Sequence, residues 1–309
     1  MSLWITGAKG FIGGHLAREL ARAGHSVHGI GHGALEEIEW QRLGLRSWAN
    51  GEIDAANLDM VATRHGPPSA VFHLAGGSSV GQAMAQPLED FSRTVAGTAR
   101  LLEWLRVHSP DSRVIAVSSA AVYGSNHAGP IPEGAALAPI SPYGQHKLMM
   151  EQLCRSYSTA FGIRSTVARL FSVYGPNLRK QLLWDICSRL EQGERELTLG
   201  GTGTEIRDWC DVRDVARLLA AIGGAPQEQS FRLINGGSGR GICVAEIAKM
   251  LIGHWAHASV RFSGIERAGD PFSLLADDGA LRETGFEWRI AAEQGISDYV
   301  KWFRERVRA

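Results

Sequence analysis

Apolar residues in this chain fall alternately into short unbroken runs and into helically spaced stretches. Leu3-Trp4-Ile5 is a short run that predicts a strand. Residues 11–23 carry helical spacing and stop at Gly24. Further strands are predicted at 26–30, 70–74, 113–117 and 165–170. Residues 91–108 predict one long helix, ended by Ser109-Pro110. Another helix should start at Ser141-Pro142: a serine hydroxyl caps well, and proline's fixed φ and missing N–H suit the first turn. Strands alternating with helices imply an α/β chain whose parallel sheet is covered on both faces.

The pattern changes after Pro176. Leu199-Gly200-Gly201-Thr202-Gly203-Thr204 and Asn235-Gly236-Gly237-Ser238-Gly239 read as turns. Shorter helices are predicted near 181–192, 212–222 and 244–252. The expected organisation is a large sheet domain over 1–176, with segments at about 207–236 returning to it, and a smaller α/β domain over 177–309.

Composition narrows the field. The 309 residues are 44% hydrophobic and 21% charged, ordinary for a globular protein with a sizeable core. Thirty-two basic and 32 acidic residues cancel, which argues against a broad grip on nucleic acid or anionic lipid. No apolar run reaches the ~18 residues of a membrane span. The N-terminus lacks a basic region followed by an apolar stretch, so no signal peptide and a cytoplasmic location are expected. Cys154, Cys187, Cys210 and Cys243 are too scattered for a metal site and read as free thiols.

Chemistry concentrates at two places. Gly7-Ala8-Lys9-Gly10-Phe11-Ile12-Gly13 follows the first strand and opens the first helix. Glycines there permit a tight turn, a close pyrophosphate and a close helix, and the helix N-terminus offers free N–H groups. The second strand ends in Gly31-His32-Gly33, without the acid that usually holds a ribose 2′-hydroxyl. Two glycines leave space there and His32 could meet a phosphate, so NADP is favoured slightly over NAD. The second place is Tyr143 and Lys147, one turn apart on one helix face. A neighbouring ammonium should lower the phenol from its usual value near ~10. Such a tyrosine can exchange a proton with a substrate hydroxyl.

These motifs, with His73-Leu74-Ala75-Gly76, Val117-Ser118-Ser119-Ala120-Ala121-Val122-Tyr123-Gly124, Arg169-Leu170-Phe171-Ser172-Val173-Tyr174-Gly175-Pro176, Arg207-Asp208-Trp209-Cys210-Asp211 and Arg267-Ala268-Gly269-Asp270-Pro271, resemble the extended short-chain dehydrogenase/reductases. Within that group the chain is similar to the NAD-dependent epimerase/dehydratase family acting on nucleotide sugars. The resemblance implies a Rossmann-type doubly wound sheet with a smaller substrate domain. It implies Tyr143 as acid/base, Lys147 as its partner and ribose contact, and Ser119 as the hydroxyl on the reacting sugar oxygen, with Ser118 as the neighbour most easily confused with it. It places the cofactor on Gly7, Lys9, Gly10, Phe11, Ile12 and Gly13, on Glu52 and Ile53 near the adenine, and on Leu74, Ala75 and Gly76. It places the substrate on Ser79, Ser172, Arg207, Arg267 and Asp270, the two arginines suiting two phosphates. A homodimer through the helices at 91–108 and 143–161 is also implied.

The departures are informative. Dehydratases of this family carry Asp-Glu after the catalytic hydroxyl, and related decarboxylases keep the Glu; here Ala120 and Ala121 stand instead, and neither moves a proton. Thr94 and Ser172 replace two family asparagines. What remains needs only hydride transfer and one proton relay. The leading expectation is an NAD(P)-dependent nucleotide-sugar epimerase, at C4. Its rivals are an NADPH-dependent reductase of a 4-keto-6-deoxy nucleotide sugar and a non-catalytic dinucleotide-binding regulator.

Overall fold

In the computed structural model, which describes residues 2–265 and 271–307, every strand predicted in the first half takes its place in one seven-stranded sheet. Across the sheet the order is Phe231–Gly236, Ser165–Leu170, Arg113–Ser119, Ala70–His73, Ser2–Thr6, Ser26–Gly31, Ser47–Asn50. All neighbouring pairs are parallel. The first strand lies centrally, and the chain builds outward from it in both directions. That switch point, at the carboxyl ends of Ser2–Thr6 and Ala70–His73, is where doubly wound Rossmann-type sheets bind ligands. The edge strand Ser47–Asn50 escaped the sequence pattern because only Ala49 is buried there.

One face of the sheet packs Trp4, Val71, Val114 and Val167 against Leu58, Leu101, Leu105 and Met150 from three helices. Each fully buried side chain of this kind contributes about 1.5–3 kcal/mol. The helix Pro142–Phe161 begins as its sequence predicts: Ser141 Oγ accepts from Gly144 N at 3.2 Å, and Pro142 takes the first position. It ends at Gly162, which is left-handed (φ 73°). The expected helix at 91–108 instead starts at Pro87 and is interrupted by one wider turn, Ser92–Ala96, before Gly97–His108. From the helix that follows, Thr98 Oγ1 donates to the Thr94 carbonyl of that turn at 2.5 Å.

The sheet and its helices form one unit, comprising residues up to Gly124, Ala136–Leu170 and Val215–Gly236. The second unit comprises Ser125–Ala135, Phe171–Asp214 and Gly237–Ala309. Its mixed sheet runs Gly241–Cys243, Ile206–Asp211, Ser273–Ala276, Pro130–Ile131, with Ser172–Tyr174 also paired to Ile206–Asp211. The segment returning to the large sheet is therefore narrower than 207–236. Ile206–Asp211 hydrogen-bonds within the second unit, and the returning strand is Phe231–Gly236. Asp208, fully buried, organises the second unit: it accepts from Ser238 N, Ser238 Oγ and Gly239 N at 2.9, 2.6 and 2.9 Å. No helix among the described residues is long and apolar enough to cross a membrane.

Candidate active site

The glycine loop is a cradle that side chains would fill. Gly7 is left-handed (φ 73°), and a Cβ on it would lie 3.0 Å from Ala75 N. A Cβ on Gly13 would stand 2.3 Å from the Gly7 carbonyl oxygen, and one on Gly10 would stand 3.0 Å from the same atom. The loop thus presses both on Leu74-Ala75 and on the opening turn of Phe11–Arg22. Gly10 occupies the cap position of that 12-residue helix and brings no side chain to its N–H groups. A bare helix N-terminus behind a glycine turn fits a dinucleotide pyrophosphate.

At the ribose end the expected space is already taken. A Cβ on Gly31 would lie 3.1 Å from the Trp48 ring, and one on Gly33 would lie 2.7 Å from Lys9 Nζ. Trp48 Nε1 donates to the Gly33 carbonyl at 3.0 Å, and Lys9 Nζ to the Ala34 carbonyl at 3.1 Å. His32 Nε2 stands 3.5 Å from Glu52 Oε1. A carboxylate at His32 repels a 2′-phosphate, so the sequence's slight preference for NADP finds no support here. Ile53, next to Glu52, is buried.

The catalytic candidates converge. Ser119 ends its strand, its Oγ accepts from Ala121 N at 3.2 Å, and it lies close enough to the Tyr143 phenol to favour the phenolate. Lys147 Nζ, buried, donates to the Val117 carbonyl at 3.0 Å and lies 5.9 Å from the Tyr143 ring centroid. Gly144 makes this approach possible: a Cβ on it would lie 2.7 Å from the Ala121 carbonyl oxygen. Burial pushes the phenol above its ordinary value, with Ser119 acting against it and Asp90 adding to it. The expected lowering by Lys147 is therefore not what this structure shows: the ammonium is turned to Val117, and desolvation dominates. Burial likewise lowers Lys147, to about 8, with Asp90 and then Glu151 acting to raise it.

Ser118 faces elsewhere. Its Oγ donates to Glu151 Oε1 at 2.5 Å, inside a buried pair in which Arg169 Nη2 meets Glu151 Oε2 at 2.6 Å. His73 is a connector: Nδ1 meets Thr6 Oγ1 at 2.8 Å and Nε2 meets Thr98 Oγ1 at 2.9 Å. Burial drops its pKa to about 3, so it stays neutral. Thr94, at the place of a family asparagine, accepts from Gly77 N at 2.7 Å and so holds the loop after Ala70–His73. Two residues had no role in the sequence reading. Asp90 is buried and accepts from His146 Nδ1 at 2.6 Å. The only signal for the pair was His146 standing directly before Lys147.

The remaining substrate candidates belong to both units. Ser79 caps Val80–Ala85, accepting from Gln82 N at 3.3 Å. Ser172 and Arg207 belong to the second unit, where Arg207 Nη1 donates to the Ile206 carbonyl at 2.9 Å. Arg267 and Asp270 lie outside the described residues. Among the described residues, no three His, Cys, Asp or Glu side chains converge where they could hold a metal.

Cradle, switch point and the Ser119, Tyr143 and Lys147 set together define a Rossmann-type enzyme that uses NAD(P). The chain belongs to the NAD dependent epimerase/dehydratase family, whose model matches residues 3–237. A UDP-glucose 4-epimerase of Azospirillum brasilense is 31% identical over 299 residues, covering 90% of this chain and 84% of that protein. The solved structure of MoeE5 in complex with UDP-glucuronic acid and NAD is similar with a TM-score of 0.88 at 28% identity, covering 99% of this chain and 100% of that one. The UDP-glucuronic acid 4-epimerase from Bacillus cereus, in complex with UDP-glucuronic acid and NAD, gives 0.89 at 25% identity with the same coverage.

Proposed function

We propose that this protein is an NAD-dependent epimerase that inverts C4 of a UDP-sugar. The observation that carries the reading is the Ser119–Tyr143–Lys147 set with alanines at 120 and 121: it can move one hydroxyl proton and holds no second acid or base for elimination. UDP is favoured because the relatives named above act on or bind UDP-sugars. NAD is favoured because those two solved neighbours hold it and because Glu52 stands at His32.

Gly7, Gly10 and Gly13 would receive the pyrophosphate, Glu52 and Ile53 the adenosine, and Lys147 the nicotinamide ribose. When bound, the oxidised nicotinamide supplies a positive charge and reversible acceptance of a hydride from the sugar carbon. Tyr143 removes the hydroxyl proton as the C4–H bond breaks, leaving a ketone, and restores it when the hydrogen returns to the opposite face. Ser119 hydrogen-bonds the reacting oxygen and fixes its distance from the phenol. Lys147 stabilises the phenolate that Tyr143 must become. Arg207 and Arg267, with Ser79, Ser172 and Asp270, are the proposed contacts to the sugar nucleotide.

We also propose a homodimer. Met84, Leu88, Phe91 and Met149, on helices that pack together, are exposed apolar side chains, as a subunit contact would require.

The test is turnover of UDP-glucose, UDP-galactose, UDP-glucuronate and their N-acetylated counterparts with NAD and with NADP. Interconversion of two 4-epimers without net change in reduced-cofactor absorbance is expected. Stoichiometric consumption of NADPH with a 4-keto sugar would establish a reductase instead. Dinucleotide binding with no turnover would establish a regulator.

A further inference from the structure

Asp90 and His146 form a buried pair that the mechanism above does not use. The Asp90 side chain is only 4% exposed and that of His146 11%, and Nδ1 donates to Oδ2 at 2.6 Å. The other carboxylate oxygen, Oδ1, is buried without a hydrogen-bond partner. It is seated on the Gly77 backbone, where a Cβ would come within 1.7 Å of it. The Phe91 ring closes edge-on over His146, with centroids 5.6 Å apart. A carboxylate with one unsatisfied oxygen is costly to bury, so a nearby cation must offset it. Pro87–Phe91, which carries Asp90, packs on Pro142–Phe161, which carries Lys147 beside His146.

We propose that Asp90, clamped by His146, is a positioning residue for the proton relay: its carboxylate is the counter-charge that keeps the buried Lys147 ammonium charged. This rests on the reading of Tyr143 and Lys147 given above. The charged groups around the relay are few. Asp90 and then Glu151 raise Lys147, and Asp90 also raises Tyr143. Glu151 is already committed to Arg169 at 2.6 Å, and Glu89 to Arg93 at 2.5 Å. His73, on the strand side, is neutral. Asp90, whose buried Oδ1 has no hydrogen-bond partner, is thus the carboxylate left to balance Lys147. Its removal should release the ammonium proton at lower pH.

The experiment compares kcat/KM for the sugar, and NAD affinity by calorimetry, from about pH 6 to about pH 9 in wild type and variants. In Asp90→Asn both basic limbs should move to lower pH by roughly one pH unit, with kcat/KM at the acid end within about threefold of wild type. His146→Leu should move them in the same direction, and His146→Gln, which keeps a donor, should restore the wild-type limb. If Asp90→Asn does not fold, His146→Leu carries the same expectation. A uniform fall at all pH values with unmoved limbs, as a packing role would produce, overturns the proposal. Turnover that survives Tyr143→Phe would instead overturn the relay itself, while the NAD-affinity profile still reads the Asp90–Lys147 coupling.

Discussion

Ser118 and Glu151 are joined by a 2.5 Å hydrogen bond in the interior, and that bond decides which of two adjacent serines is free for chemistry. Ser118 spends its hydroxyl on Glu151, whereas Ser119, where the strand ends, keeps its Oγ on the Ala121 N–H and beside Tyr143. Ser119→Ala should lower kcat by about 10²-fold or more, the scale of a positioned proton-transfer group. Ser118→Ala should leave kcat within a few-fold and cost roughly 1–3 kcal/mol of stability, because a buried carboxylate loses a donor. The reverse pattern in paired kinetics and urea titrations would exchange the roles.

Glu151 also holds Arg169, whose guanidinium lies 4.7 Å from the Tyr123 ring centroid, and Tyr123 in turn donates to Asn235 Oδ1 at 2.6 Å. Glu151→Ala removes the carboxylate that meets the buried Arg169 guanidinium at 2.6 Å. A loss of about 3–5 kcal/mol is expected, read as a fall in Tm. A loss below about 1 kcal/mol would mean that water or another carboxylate replaces it.

Lys147 should trade stability for function. Its pKa falls from 10.5 to about 8 through burial, so the folded state holds the ammonium at a cost that is full below about pH 8 and fades as pH rises toward 10.5. That difference corresponds to roughly 3 kcal/mol at neutral pH. Lys147→Met is therefore expected to stabilise the fold by about 1–3 kcal/mol at neutral pH, less in alkali, while abolishing turnover. Chemical denaturation at neutral and alkaline pH would show it, and destabilisation at neutral pH would refute it.

Acid should act through His73. Its folded pKa of about 3 lies below the ordinary 6.5, so the unfolded chain binds a proton first as pH falls. Stability is intact above about pH 6.5 and declines by about 1.4 kcal/mol per pH unit below it, until about pH 3. His28, lowered to about 4 mainly by burial, adds a loss of the same sign. His73→Asn should be less stable at neutral pH yet show a shallower acid decline in urea midpoints.

Cofactor choice should follow Glu52. Calorimetry should find NAD bound at least roughly tenfold more tightly than NADP, and Glu52→Gln should narrow that gap by removing like-charge repulsion. Tighter binding of NADP by the unaltered protein would reverse the assignment.

Much of the molecule was legible in one dimension, for identifiable reasons. The glycine loop, the cap at Ser141-Pro142 and the strands of the first half depend on local backbone demands and on short apolar runs, which neighbouring residues express directly. The pair Tyr143 and Lys147 shares a helix, so spacing alone places both on one face. What lay across the fold was silent. The resemblance named Ser119 beside an easily confused Ser118, and only the fold shows that Ser118 is tied to Glu151. The sequence made Lys147 the agent that lowers Tyr143, whereas burial sets both groups and a carboxylate 57 positions upstream of Lys147, Asp90, acts on each. It read space beside Gly31 and Gly33, which Trp48 and Lys9 fill. Sequence by itself thus determined the elements and the chemical groups, because these follow from local geometry and residue type. Tertiary structure alone decided their charge, direction and company, because desolvation and hydrogen bonding depend on what the folded chain brings alongside.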